Sequence, residues 1–215
     1  MFFLKKIIPV SWHYAFSNIK RSIFGYTEYA QFEEDTVLAE LLRDTAHGVY
    51  VDVGAHHPYR YSNTYRLYQK GWRGTNIDPN QHSIRLFNKA RPQDSNICSG
   101  VGRSRTLVYY QFSDPAVNTF KKEEAQKWIR KPFLKFLGTT EVNVQPLSTL
   151  VEGPIDLLNV DAEGMDLEVL ESYDWKHYPK VIVVEGSDSK EFLLQKDYTL
   201  HAQCGPSYIY VHHTI

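Results

Sequence analysis

VYVDVGAHHPYRYSNTYRLYQKGWRGTNIDPN, residues 49–80, holds two short apolar strands with a helix between them, and an acid stands at or beside the end of each strand. Residues 49–53 are an apolar, β-branched run that stops at Gly54, the pattern of a strand buried on both faces. Residues 63–71 have helical length, with Tyr65, Leu67 and Tyr68 set among polar residues and Gly71 as a stop. A second strand over residues 75–77 leads to Asp78. In open parallel sheets ligands bind outside the carboxyl ends of the strands, and an acid about 20 residues past the glycine turn pairs with ribose hydroxyls. Asp52, Gly54 and Asp78 occupy those places.

The loop narrows the choice of nucleotide. A dinucleotide brings a pyrophosphate, whose loop needs three glycines so that backbone N–H groups and a helix N-terminus close on two phosphates. Here Gly54 is followed by Ala55, His56, His57, Pro58 and two tyrosines on either side of Arg60, with no further glycine before Gly71. Phosphate cradling is therefore disfavoured. S-adenosylmethionine has a ribose and an adenine but no phosphate, so one tight glycine turn and two carboxylates suit it. Alone, D-V-G-A fits a plain strand-to-helix connection equally well.

Composition bounds the remaining classes. A chain of 215 residues suits one domain with a sizeable core. Lys and Arg number 24 against 25 Asp and Glu, which gives no global electrostatic case for nucleic acid. Two separated cysteines, Cys98 and Cys204, make neither a disulfide framework nor a cysteine-rich zinc site, and a reducing cytoplasm fits them. The first 26 residues are basic (Lys5, Lys6, Lys20, Arg21) and interleaved with Phe, Ile, Trp and Tyr. Pro9, Trp12 and His13 interrupt the apolar run short of a membrane span or a convincing signal peptide. Residues 1–48 are expected as an N-terminal helical segment packed on the domain; the alternative is weak peripheral contact of residues 1–26 with the inner face of a membrane.

Further along, residues 31–42 carry a helical apolar stripe of Phe32, Val37, Leu38, Leu41 and Leu42. Residues 83–90 suggest another helix, and residues 96–98 a third strand running into Ser99 and Gly100, small residues that let an adenine approach the backbone. Residues 105–112 are β-rich. Between 113 and 140 the pattern changes to Asp-Pro, a charged helix-like stretch (121–131) and an aromatic segment (132–137), as in an insertion or lid. Residues 141–145 alternate like an edge strand, and 147–151 suggest a short helix.

PIDLLNVDAEGMDLEVLESYDW, residues 154–175, repeats the opening pattern: a buried strand over 155–160 ends on Asp161, and Glu163-Gly164 turns the chain into a helix over 165–171. Residues 181–184 form one more such strand, ending on Glu185-Gly186. Acids often end strands or cap helices, so one case means little. Four at corresponding ends of one parallel sheet, Asp52, Asp78, Asp161 and Glu185, surround a single crevice. Residues 198–212 are expected as a closing antiparallel hairpin with a Cys-Gly-Pro-Ser turn.

VDVGAHHPYRYSNT, GWRGTNIDPN, RPQDSNI and IDLLNVDAEGMDLEVL resemble, in order and spacing, the glycine turn, ribose acid, third strand and fourth-strand block of the FkbM family of S-adenosylmethionine-dependent methyltransferases. QFEED resembles that family's Gln-x-x-Glu-Asp stretch ahead of the first strand, and the resemblance runs from about residue 31 to the end. It implies an α/β, Rossmann-like class I methyltransferase fold over residues 49–215: a mostly parallel seven-stranded sheet with an antiparallel C-terminal hairpin and helices on both faces. The implied reaction is methyl transfer, most often to a hydroxyl oxygen of a sugar or polyketide. The implied cofactor site comprises Asp52, Gly54, Ala55, Asp78, Ser99, Gly100 and Asp161. Many relatives have Gly-Ala-Asn-x-Gly in the first loop where this chain has Gly54-Ala55-His56-His57-Pro58, so Ser62, Asn63 and Thr64, where a helix begins, are the expected donors to the methionine carboxylate.

Methyl transfer from a sulfonium is an in-line displacement. Alignment lowers its barrier by about 7–11 kcal/mol, whereas a general base contributes about 10²–10⁴-fold. His57 is the first expectation for the base because histidine titrates near neutrality, with Asp161 and Glu163 next. Asp161, Glu163 and Glu185 also offer oxygen ligands of the kind Mg²⁺ accepts; a metal-free site is favoured. The rivals are a metal-assisted O-methyltransferase acting on another small hydroxylated metabolite, a nicotinamide-dependent oxidoreductase or epimerase, and a catalytically silent binding module. The expected partner is a small-molecule or glycan acceptor, with Tyr59, Tyr61, Trp72, Tyr109 and Trp128 as candidate stacking residues.

Overall fold

The structure is a computed structural model and describes residues 29–213. The expectations placed on residues 1–26, a packed helix or a membrane contact, lie outside the described residues. A helix α1 (Glu34–Leu41) leads into β1 (Val49–Val53), α2 (Tyr65–Gln69), β2 (Arg73–Asp78), α3 (Gln81–Ala90) and β3 (Ser95–Cys98). Strands β4 (Gly100–Val101), β5 (Arg105–Phe112) and β6 (Phe136–Gln145) follow, with a 3₁₀ turn (Pro115–Val117) and α4 (Lys122–Ile129) between the last two. The chain then runs through α5 (Leu147–Leu150), β7 (Leu157–Val160), α6 (Asp166–Glu171), β8 (Val181–Glu185), α7 (Lys190–Leu194), β9 (Tyr198–Cys204) and β10 (Ser207–His212).

Seven strands form one sheet in the order β3-β2-β1-β7-β8-β10-β9. The first five are parallel, and β10 runs antiparallel to both β8 and β9, the closing hairpin expected from the sequence. Successive residues of the central strands serve opposite faces, as the two-residue period of a strand requires. Tyr50, Leu157, Val181, Val183 and Ile209 pack with Leu38, Leu42, Leu67 and Trp72 on one face. On the other, Val51, Val53, Leu158, Val160, Ile182 and Val184 pack with Leu147, Val169, Leu170 and Leu193. Both faces are covered, which explains why these strands are near-continuous apolar runs.

The first face changes character toward the carboxyl ends. Asp52 follows Tyr50 on that face, and Asn159 follows Leu157, so the apolar layer gives way to a buried polar one. Register places the strand ends in one row: Val53 pairs with Ile77 and with Val160, and Val160 with Val184. The next residues, Gly54, Asp78, Asp161 and Glu185, are therefore aligned along one edge of the sheet. The chain steps outward from β1 to β2 and β3, then returns to the other side of β1 for β7 and β8, and this reversal of strand order makes the edge the topological switch point where ligands bind.

β5, β6 and the residues between them, which include the stretch 113–140 that the sequence suggests as an insertion or lid, form an arm beside the main sheet. β5 and β6 pair antiparallel, with β4 on the far side of β6, in a three-stranded sheet of its own. The strand over 141–145, expected at an edge, is instead the middle strand of this sheet, between β4 and β5, and begins five residues earlier, at Phe136, which pairs with Phe112.

Candidate active site

Gly54 is where the sheet edge and the loop meet. Its φ is +76°, and a Cβ there would lie 1.8 Å from the carbonyl oxygen of Asp161. Only glycine lets β1 turn this close to the end of β7. The Gly54 N–H donates to the Ile77 carbonyl at 2.9 Å, which ties the turn to β2 as well.

The loop after Gly54 has no further glycine and is held from beneath by Arg91, a fully buried side chain. Its Nε donates to the Pro58 carbonyl at 2.9 Å, Nη2 to Ser62 Oγ at 2.8 Å and Nη1 to Thr64 Oγ1 at 2.9 Å. The guanidinium also lies over the rings of Phe87, Tyr65 and Tyr68 at 5.1–5.4 Å from their centroids. Thr64 in turn donates to Asp52 Oδ2 at 2.7 Å, and Asn159 donates to Asp52 Oδ1 at 2.8 Å. Asn63 Nδ2 completes the chain by donating to Asn159 Oδ1 at 2.8 Å. Burial raises the Asp52 carboxyl, and the bonds from Thr64 and Asn159 oppose that rise.

A cavity opens above this layer. Of the expected cofactor residues, Asp52, Gly54, Ala55, Ser62, Asn63, Asp78, Ser99, Gly100 and Asp161 line it. Thr64 does not; it is fully buried beneath the loop, and its hydroxyl is spent between Arg91 and Asp52. The helix expected from residue 63 begins at Tyr65 and has a single turn, and Ser62 Oγ accepts from the Tyr65 N–H at 3.2 Å. Asp78 accepts from the N–H of His56 through Oδ2 (2.8 Å) and of Asn80 through Oδ1 (2.7 Å). Each oxygen keeps a lone pair for the cavity. Burial pushes this carboxyl up to about 6 against those two bonds.

The two adjacent histidines take different places. His57 is absent from the cavity wall: its Nδ1 accepts from the N–H groups of Tyr59 and Arg60 at 3.3 and 3.2 Å, and burial with the nearby Arg60 charge pushes it down to about 4. His56 lines the cavity instead, because its left-handed backbone (φ +54°) swings it inward while its N–H holds Asp78.

On the β7–β8 side three carboxylates crowd together. Asp161, Glu163 and Glu185 each bring an oxygen within 4.8 Å of the others. Asp161 opens on the cavity, yet the walls desolvate it, and with the charges of Glu185 and Glu163 they hold it well above the usual carboxylate range. Desolvation, then Glu185 and Asp166, push Glu163 up to about 8. Its backbone is left-handed (φ +48°), followed by Gly164 at +90°, and Asp166 secures the turn by accepting from the N–H groups of Ala162 and Gly164.

The arm supplies the remaining wall through Tyr109 and residues 115–120. Among the aromatic candidates, Tyr61 and Tyr109 reach the cavity, Trp72 is buried in the core, and Tyr59 and Trp128 lie away from the cavity wall. Sequence reasoning missed Gln31, His56 and Asn159 as lining residues. Gln31 had a signal in the QFEED stretch: Glu34 accepts from the Phe32 N–H at 2.7 Å and Asp35 from the Tyr29 N–H at 3.1 Å, which fixes that strap at the cavity's edge.

Five carboxylates, Asp52, Asp78, Asp161, Glu163 and Glu185, line the cavity, and among the described residues no Lys or Arg does. The sheet order, with a crevice at its switch point, is that of a Rossmann-like fold. A profile of the Methyltransferase FkbM domain matches residues 52–205, and the chain belongs to the FkbM methyltransferase family. The structure is similar to that of the FkbM methyltransferase from Methylobacillus flagellatus KT, with a TM-score of 0.55 at 15% identity over 83% of this chain and 48% of that one. This chain thus spans about half the length of that protein. Fainter likenesses are the putative methyltransferase yhhF from Escherichia coli (TM-score 0.46, 11% identity, 85% of this chain and 87% of that one) and the O-methyltransferase from Bacillus cereus in complex with SAH (0.44, 9%, 95% and 91%). No curated protein matches the sequence significantly. No helix among the described residues is long and apolar enough to cross a membrane.

Proposed function

We propose that the protein transfers a methyl group from S-adenosylmethionine to a hydroxyl of a sugar or glycan. The observation that carries the cofactor reading is the charge of the cavity: five carboxylates and, among the described residues, no Lys or Arg on its wall. Such a wall repels the pyrophosphate of a dinucleotide and favours a ligand carrying a sulfonium and an ammonium. Asp78, with one free lone pair on each oxygen, fits the two ribose hydroxyls. Ser99 and Gly100 line the cavity as small residues, which suits the approach of a flat base to the backbone. When bound, the cofactor supplies an activated methyl group on sulfur.

The protein's own part is to exclude water, hold the acceptor oxygen in line and take its proton. For the proton we assign Glu163, which desolvation and the charges of Glu185 and Asp166 push up to about 8, close to neutral operation. His57, first in expectation, is set aside because its Nδ1 is committed to backbone donors. Tyr61 and Tyr109 offer faces to a sugar ring. The glycan class rests on family resemblance and these two rings.

A second reading comes from the oxygen-only donor set of Asp161, Glu163 and Glu185, which fits Mg²⁺. A metal held there would lower the pKa of the acceptor hydroxyl. Incubation with tritiated S-adenosylmethionine and a panel of sugars, nucleotide sugars and oligosaccharides tests the function. Label transfer to a hydroxyl is expected, and transfer only to amines or proteins would overturn the acceptor class. Loss of transfer in EDTA, restored by Mg²⁺, would favour the metal reading.

A further inference from the structure

The stretch that follows the cavity wall is chemically unlike the rest of the chain. Residues 121–137, KKEEAQKWIRKPFLKFL, hold six Lys and Arg against two Glu, whereas the whole chain has a net charge of −1. All six cations are exposed. Lys127 pairs with Glu124, and the other five make no ion pair among the described residues. Large apolar side chains are exposed among them: Phe133 at 65%, Leu137 at 59%, Ile129 at 49% and Phe136 at 40%. With Val108 on the neighbouring strand, the arm holds half of the exposed large apolar side chains of the described residues.

Unpaired cations interleaved with exposed Phe, Leu and Ile match one surface well. Cations are attracted to anionic headgroups, and apolar side chains gain by entering the boundary between headgroups and acyl chains. A polynucleotide would take the cations but offers nothing to Leu137 and Ile129. A two-fold contact with a second copy would set the same net positive charge against itself. We propose that residues 121–137 dock the protein on an anionic lipid bilayer, with Phe133 and Leu137 entering the interface and Arg130, Lys131 and Lys135 facing headgroups.

The surface is coupled to the cavity. Residues 115–120 of the same arm form its wall, Thr119 Oγ1 donates to the Glu163 carbonyl at 3.4 Å, and the Lys121 side chain packs over Gly164. Docking thus sets the active site beside the bilayer, where lipid-tethered acceptors lie. Durable attachment takes two signals. Residues 1–26, with Lys5, Lys6, Lys20 and Arg21 among Phe, Ile and Trp, are a second stretch of that composition.

The test is flotation of the full chain with vesicles of phosphatidylcholine alone and of phosphatidylcholine with phosphatidylglycerol. Binding is expected only with phosphatidylglycerol and weakens as salt rises. Arg130→Gln/Lys131→Gln/Lys135→Gln lowers the affinity by about a hundredfold. Phe133→Ser/Leu137→Ser lowers it by about tenfold or more. Melting temperature and S-adenosylmethionine affinity stay unchanged in both, because these side chains are exposed and lie off the cavity wall. Four results overturn the proposal: no binding by the wild type, equal binding to neutral vesicles, wild-type binding by both variants, which leaves the contact to residues 1–26, or a wild-type dimer that Phe133→Ser/Leu137→Ser converts to monomer.

Discussion

The two halves of the cavity treat their acids in opposite ways. On the β1–β2 side each carboxylate has its donors: Asp52 accepts from Thr64 and Asn159, and Asp78 from the N–H groups of His56 and Asn80. On the β7–β8 side Asp161, Glu163 and Glu185 face one another with no other donor bonded to their carboxylates among the described residues. A satisfied carboxylate is a fixed acceptor, suited to hold a ligand in one place. Burial and crowding raise Asp161 and Glu163 toward the protonated form, which suits proton transfer. Binding and proton transfer are thus divided along one sheet edge.

The sharpest way to break this division is Glu163→Gln. It should lower kcat by about 10²–10⁴-fold with S-adenosylmethionine affinity unchanged. A parallel loss of affinity, read by calorimetry, would show that the crowded side also binds the cofactor. Asp78→Asn should do the reverse, weakening S-adenosylmethionine by about 10–100-fold, the worth of a hydrogen bond to a charged group, while kcat at saturation holds.

Arg91→Ala probes the support beneath the satisfied side. Its loss leaves the Pro58 carbonyl, Ser62 and Thr64 short of a buried donor. A cost of about 3 kcal/mol follows, or about 6–12 °C in Tm. Arg91→Lys should fold yet bind cofactor more weakly, since an ammonium lacks the fork that spans three acceptors.

The smallest effect is on stability against pH. Glu163 is raised from 4.5 to about 8 and Asp78 from 3.8 to about 6 by folding. Groups raised in this way stabilise the fold below their unfolded values, and the contribution is lost as pH rises through the folded ones. Tm of the cofactor-free protein should therefore fall between pH 5 and 8. Glu163→Gln should flatten the upper part of that fall and raise Tm at pH 8 by about 2–4 °C, which corresponds to ~1 kcal/mol. A flat wild-type profile would mean that the crowded acids are better solvated than the structure implies.

The row of acids at the strand ends was largely legible in the sequence, because its signals are local. An apolar run closed by an acid marks a strand end, and four such runs place Asp52, Asp78, Asp161 and Glu185 around one crevice, three of them with a glycine close behind. Which of two neighbouring histidines enters the cavity was not legible. It turns on the left-handed φ of His56, set by a hydrogen bond to Asp78 22 positions away in sequence. Arg91 was hidden for a similar reason: an Arg-Pro pair after a helix has the composition of a surface turn, and only packing against Phe87, Tyr65 and Tyr68 buries it. The extra length of β6 was masked because Phe136 and Leu137 are exposed, against the alternation by which a strand is recognised.

The central claim is that an acid-lined, phosphate-free cavity selects a cationic cofactor. Calorimetric titration of the full chain with S-adenosylmethionine and with NAD tests it directly. Saturable S-adenosylmethionine binding that Asp78→Asn weakens, with no heat from NAD, is the predicted result; NAD binding without S-adenosylmethionine binding would contradict it.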